Sequence, residues 1–262
     1  MVKYNVSRQE LTIRTNHHFL GLPNFLFLWT YKFANFAQTQ PMSESTDNYL
    51  KAIFAICYDQ PEGALTTHIA TKLTTKASSV TDMLKKLDEQ GLVKHRPYYG
   101  TTLTPKGKKQ ALKVIRKHRL WESFLVEKLG FGWSEVHEIA EQLEHIESNE
   151  LTLRLESYLG FPKYDPHGDP IPDDAGNMPS FRKTVTASTM KKSATYQLVA
   201  VANSSNQFLQ HMKNLNLSIG SRLTLKEKYA FDESMTVNDG HTTIHLSKEV
   251  ASNLLLMKAA KK

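Results

Sequence analysis

The sequence predicts a mainly α chain with a small β domain, built around a winged helix-turn-helix. Three observations carry this. Between Thr46 and Gly107, three short amphipathic helix patterns run into a basic two-stranded ribbon. From Thr104 to Gly160 helical periodicity is almost unbroken. Sustained β alternation begins only at Thr195.

In the first helix Tyr49, Leu50, Ile53, Phe54 and Ile56 recur at helical spacing until "DQPEG" (59–63) stops the run. A short second helix turns Leu65, Ile69, Ala70 and Leu73 inward. After the turn "TTKA" comes "SSVTDMLKKLDEQG", with Ser78 as N-cap and Gly91 past its end. Val80, Met83, Leu84 and Leu87 form an i, i+3, i+4, i+7 face, which leaves Ser79, Thr81, Asp82, Lys85 and Lys86 outward. "LVKHRPYYGTTLTPKG" (92–107) then reads as a wing turning near "YYG", with Lys94, His95, Arg96, Lys106, Lys108 and Lys109 in or beside it.

This order of elements suits DNA. Small polar residues at the start of a recognition helix reach base edges, and wing cations reach phosphates. The expected contacts are Lys76, Ser78, Ser79, Thr81, Asp82, Lys85, Lys94 and Arg96. A protein-docking winged helix with a solvated basic surface is the rival. The net charge of +7 over 262 residues and a pI of about 9.3 favour an anionic partner.

The single cysteine, Cys57, allows no disulfide within the chain and fits a reducing cytoplasm. No run of about 18 apolar residues predicts a membrane span. Residues 1–41 stand apart: "HHFLGLPNFLFLWTYKFANFA" is apolar and aromatic but broken by Pro23 and Asn24. As a signal peptide it is poor. The expectation is a non-native or poorly ordered, dispensable extension, with the functional chain opening at Met42.

Thr104-Pro105 predicts an N-cap and first-turn proline, opening a long helix to Gly130. Within it "RKHRLWES" sets His118 and Glu122 four residues apart. "FGW" interrupts, and "HEIAEQLEHIES" (137–148) follows with Ser134 as its N-cap. On a helix Ile139, Ala140, Leu143 and Ile146 share one side. His137, Glu141, Glu144 and His145 share another arc of about 100°. Either stripe or pair alone reads as an ordinary wet helix face. Two neighbouring helices each offering His and carboxylate can converge on one or two divalent metals. Zinc-protease chemistry is disfavoured, because Glu141 stands where His-Glu-x-x-His needs its second histidine. A last helix, "NELTLRLESYLG", ends at Gly160.

From about Thr46 onward the chain resembles the diphtheria-toxin-repressor family of metal-dependent regulators, and within it the manganese transport regulators. The resemblance rests on "NYLKAI", "LTPKG", "RKHRLWE", "VHEIAEQLEHIES" and "DPHGDPIP", in that order and spacing. It implies a homodimer that binds operator DNA when divalent metal is present. It implies one centre of Glu141, Glu144 and His145 with Asn48 of the first helix, and another of His118, Glu122 and His137. In manganese regulators His118 would join a compact binuclear cluster with the first set. Two departures stand out. Asn48 occupies a position usually held by Asp, Glu or Met, and Lys51 one where manganese regulators carry a second acid.

Residues 161–194, rich in Pro, Gly, Asp and Ser, read as a tether, with His167 a turn residue and not a ligand. Beyond it "YQLVAVA", "SRLTLKEKYAF" and "SMTVNDGHTTIHLS" read as strands, the last split by the turn "NDG". "NQFLQHMKNLNL" reads as a helix with Phe208, Met212 and Leu215 inward, and "KEVASNLLLM" as a closing helix. The segment resembles the family's SH3-like barrel, of the ferrous-transport accessory type. Gln207 matches a barrel position that donates a ligand in some members, whereas Ser204 stands where the other would be acidic. His211, His241 and His245 read as surface or packing residues.

The expected organisation is thus a reading head at 42–107, a helical metal-binding and dimerisation domain at 108–160, a linker at 161–194 and the SH3-like domain at 195–262. The expected function is a cytoplasmic, homodimeric repressor of metal uptake. Mn2+ is the favoured effector and Fe2+ the second, because Glu141 replaces a cysteine of iron-responsive relatives with a hard ligand. A winged-helix regulator sensing an organic ligand is the alternative, and a metalloenzyme a distant one.

Overall fold

The computed structural model describes residues 42–96, 99–180, 182–192 and 194–259; the extension expected to be dispensable, 1–41, lies outside them. Helices α1 (Met42–Asp59), α2 (Thr66–Lys72) and α3 (Ala77–Glu89) pack around Leu50, Ile53, Ile69, Val80, Leu84 and Leu87, all fully buried. The head forms because each helix contributes one apolar stripe to a shared core. Leu65 departs from expectation: it precedes α2 in extended conformation and is exposed. Ser78 is not a cap either. Thr74 adopts a positive φ of 50° in the turn, and Lys76 becomes the extended N-cap, so α3 starts before Ser78.

The wing pairs β1 (Val93–Arg96) with β2 (Gly100–Leu103), antiparallel. It leads straight into α4 (Pro105–Leu129), capped by the Thr104 hydroxyl accepting from the Gly107 N–H and closed by Gly130 at φ 71°. Gly107 is required here: a Cβ would fall 1.9 Å from the Leu92 carbonyl oxygen.

α5 (Val136–Leu143) is shorter than the periodicity implies. Its N-cap is Glu135, and Ser134 is buried with its hydroxyl unpartnered. Its C-cap is Glu144, so His145 lies beyond the helix, in a turn. α6 (Asn149–Tyr158) follows, capped by Ser148.

Residues 161–173 are not a loose tether. Ile171 is buried with Leu120 and Leu155. Arg116, itself buried, pairs with Glu156 at 2.5 and 2.8 Å and donates to the Pro172 carbonyl at 3.1 Å, pinning α4, α6 and this segment together. Arg119 donates to the Pro170 carbonyl and lies 3.6 Å from Asp165. Proline-rich composition signalled an irregular path, but Asp165, His167, Gly168 and Ile171 between the prolines are buried.

The C-terminal part is a six-stranded antiparallel sheet in the order β3-β8-β4-β5-β6-β7. The strands are β3 (Val185–Thr186), β4 (Thr195–Val201), β5 (Arg222–Lys228), β6 (Met235–Asn238), β7 (Thr243–Leu246) and β8 (Leu254–Lys258). Register shifts in β4 and β5 bend it around one core with α7 (Asn206–Asn214). This is the expected SH3-like architecture. The expected closing helix is only half right: α8 (Lys248–Asn253) ends at Asn253, and "LLLMK" is β8, slotted between β3 and β4. A short apolar run suits helix or strand equally, and the open position in the sheet decides. Gly168, at φ 90°, lies against this sheet, where a Cβ would sit 2.2 Å from the Val199 carbonyl oxygen. The His167 carbonyl accepts from the Val201 N–H at 3.1 Å.

Candidate metal centre and DNA-reading face

α4 and α5 cross directly behind the wing, and their His/Glu stripes face each other. His118 Nε2 lies 3.0 Å from Glu122 Oε1 and 3.1 Å from His137 Nδ1, and those two are 3.3 Å apart. Donor atoms bound to one divalent ion at about 2.1 Å stand roughly 3.0–3.4 Å from one another. The three atoms therefore already hold the mutual spacing of a shared ion. A second group abuts the first: His118 Nδ1 is 2.6 Å from Glu144 Oε2, and Glu141 Oε1 is 3.6 Å from His137 Nε2. Both groups open on a cleft of about 640 Å3 between α1, α4, α5 and residues 165–170.

The charges follow from the packing. Burial works against a charged His118, but hydrogen bonds to Glu122 and Glu144 outweigh it and hold its pKa up at about 9. Burial also opposes ionisation of Glu122 and Glu144, yet their histidine partners, and Lys51 beside Glu144, keep both below the usual carboxylate range. A proton on His118 thus sits among the donors that would hold a cation.

Of the expected ligands, His118, Glu122, His137, Glu141 and Glu144 are brought together. His145 borders them, its Nε2 3.7 Å from Glu144, with Nδ1 buried and unpartnered. Asn48 lines the cleft from α1, its Oδ1 also buried without a partner. Gln207 is not brought in: it is exposed on α7 and hydrogen-bonds to none of these groups. His211, His241 and His245 are exposed.

Two placements go beyond the sequence expectation: the partners of Lys51, marked there as a departure that puts a charge near the site, and the burial of His167. Lys51 reaches across the cleft from α1, with Nζ 2.6 Å from Glu141 and 2.8 Å from Glu144. His167 does lie in a turn, as expected, but is buried there, its Nδ1 3.6 Å from Glu122 Oε2 and its Nε2 2.8 Å from the Trp133 carbonyl. Burial disfavours its charge, but Glu122 and Asp165 hold its pKa up at about 9. Asp165 is pushed up to about 7 by burial and by the charges of Asp169 and Glu122. The compact "DPHGDPIP" was the available signal, since a histidine among acids and prolines is held in a defined turn.

On the far side of the head, Lys76, Ser78, Ser79, Asp82, Lys85, Lys94 and Arg96 are exposed. Thr81 is half-buried, its hydroxyl donating to the Ala77 carbonyl. The Asp88 carboxylate accepts from the His95 N–H at 3.3 Å, fixing the wing to α3. No helix among the described residues is long and apolar enough to cross a membrane.

A winged reading head joined through histidines and carboxylates to a helical body defines a metal-dependent transcriptional regulator. Residues 41–101 match the model of the iron dependent repressor N-terminal DNA binding domain. Residues 104–173 match the metal binding and dimerisation domain of the same repressors, and residues 185–258 the FeoA domain. The chain belongs to the iron-dependent repressor family, the diphtheria-toxin-repressor group of iron- and manganese-dependent transcriptional repressors. An uncharacterized HTH-type transcriptional regulator of Methanocaldococcus jannaschii is 40% identical over 118 residues, 45% of this chain and 94% of that protein. The iron-dependent repressor IdeR of Mycobacterium tuberculosis is 34% identical over 131 residues, 49% of this chain and 56% of its own length. A manganese-dependent transcriptional repressor solved in complex with manganese superposes with a TM-score of 0.71 at 32% identity, over 82% of this chain and all of that one.

Proposed function

We propose that this chain is a cytoplasmic, homodimeric repressor of metal-uptake genes that binds operator DNA when a divalent metal, Mn2+ ahead of Fe2+, is present. The observation that carries it is the convergence of donor atoms of His118 and Glu122, on the helix that continues from the wing, with His137 of α5, at 3.0–3.3 Å. These three would hold one ion. Glu141, Glu144, His145 and Asn48 form the donors of a second centre. Held by the carboxylates and imidazoles of α4 and α5 with the Asn48 amide of α1, an ion would supply the positive charge that fixes these helices, and with them the recognition helix, in one arrangement.

The preference for manganese rests on the donor set. Every gathered donor is a nitrogen or an oxygen; Cys57, the one thiol, donates to the Thr101 carbonyl instead. Such a set suits harder cations. The DNA face is proposed to be Lys76, Ser78, Ser79, Thr81, Asp82, Lys85, Lys94 and Arg96, with the lysines and Arg96 on phosphates and the small polar groups near base edges. Homodimerisation is supported by apolar side chains left bare on and beside α6: Leu151, Tyr158 and Phe161, with Leu129 and Phe131 nearby.

The test is operator binding by purified chain after chelation, then with each divalent metal restored. Binding that returns with manganese and ferrous iron supports the reading, whereas binding indifferent to every metal overturns it.

A further inference from the structure

Lys51 sits where a metal-responsive regulator would be expected to keep a vacancy for its ion. Its ammonium lies 2.6 Å from Glu141 Oε1 and 2.8 and 2.9 Å from the two oxygens of Glu144. Glu144 is completely buried and Lys51 half-buried, with side-chain exposures of 0% and 20%. Two carboxylates that would anchor a cation already have one, delivered from α1 on a flexible stem.

We propose that Lys51 is a tethered cation that occupies the Glu141–Glu144 centre and competes with divalent metal for it, so that metal fills the His118–Glu122–His137 centre first. The proposal rests on the metal-responsive reading above. One N–H of the ammonium is shared between the two oxygens of Glu144 and another serves Glu141. Asn48 Oδ1, on a residue lining the cleft, and His145 Nδ1, on a ring whose Nε2 lies 3.7 Å from Glu144, are left buried and unpartnered. Glu141, Glu144, Asn48 and His145 offer more donor atoms than the ammonium serves, while it already offsets part of the carboxylates' negative charge. A divalent ion entering between the same oxygens meets the ammonium at close range and must drive it out. No tethered side-chain cation stands in the other centre, because Lys51 bonds to neither Glu122 nor His137; the His118 proton there can leave to solvent. Lys51 also joins the reading head to α5 with no metal at all, alongside the Gln110–Asp47 bond that ties α4 to α1 at 2.8 Å.

The experiment is equilibrium dialysis of the full chain against manganese alone, for wild type, Lys51→Ala and Lys51→Gln, with circular dichroism confirming the fold of each. Gln keeps hydrogen-bonding capacity while removing the charge, so it guards against a variant that fails to fold. Wild type is expected to take up one manganese per protomer at concentrations where both variants take up two, the second site tightening by about tenfold or more. In chelator, both variants are expected to unfold at a lower temperature than wild type, since Glu144 is left without its cation. Equal uptake of two ions by all three proteins overturns the proposal and leaves the metal-responsive reading standing. No uptake by any of them overturns that reading and the proposal with it.

Discussion

Glu122 presents its two oxygens to different partners: Oε1 faces His118 and His137, and Oε2 faces His167 at 3.6 Å from behind. His167 is aimed by the Trp133 carbonyl, which accepts from its Nε2, and so its Nδ1 points at the carboxylate. It acts as a positioning residue, holding Glu122 turned towards the cleft. His167→Ala is expected to weaken manganese binding by about 10- to 100-fold, the usual effect of removing such a support. Calorimetric titration would measure this; an unchanged affinity in a folded variant would show that Glu122 needs no backing.

Proton and metal compete at His118. Its pKa is raised from 6.5 to about 9, so the stability this proton contributes is complete below pH 6.5 and lost as pH rises through about 9. His167, raised from 6.5 to about 9, acts over the same window, while Asp165, raised from 3.8 to about 7, acts in the same direction at lower pH. Chelated protein should therefore melt at progressively lower temperature from pH 6.5 to 9. Manganese affinity should rise over that window, by about tenfold per pH unit for each proton displaced. Parallel trends with and without metal would contradict the linkage.

Lys85 and Arg96 are exposed on α3 and β1 and bear on no part of the metal cleft. Replacing either with Ala should weaken operator binding and reduce the slope of log affinity against log salt by about 0.9. Manganese affinity should stay as in wild type. Fluorescence anisotropy across a salt series reads both quantities, and an unaltered slope would mean that neither cation meets a phosphate.

Leu151 and Tyr158 leave apolar surface bare on α6. Leu151→Asp with Tyr158→Asp should turn a dimer into a monomer in sedimentation and abolish tight operator binding, while each monomer still binds metal. A double variant that sediments as wild type would move the interface elsewhere.

Glu141→Cys introduces a thiolate among nitrogens and oxygens and removes a partner of Lys51. Activation should shift from manganese towards ferrous iron, cobalt and zinc. Operator binding at matched free-metal concentrations tests it; a variant that still prefers manganese would separate Glu141 from metal choice.

Much of this was legible in the sequence because periodicity and spacing are local. The i, i+4 pair His118/Glu122 and the stripe through His137 and Glu141 needed only a helix to align them, and the Thr104-Pro105 start needed only its own chemistry. Long-range placement was not legible. Lys51 is 90 residues from Glu141, and nothing nearby in the chain announces an ion pair across the cleft. His167 looked like a turn residue because its burial depends on β4 and Trp133, which lie far away in the chain. Ser78 and Ser134 have the right chemistry for caps, yet neighbouring turns started each helix elsewhere.

Gly168 has no room for even one carbon between its backbone and β4. The turn that carries His167 is therefore riveted to the barrel, and the barrel's strand β4 shares in the alignment of Glu122. Drift along Val199–Val201 becomes inseparable from drift in metal sensing, although none of those three side chains lines the cleft. The barrel is then less a passenger than a foundation stone. Homologues that shed it must find another surface for that turn to rest on.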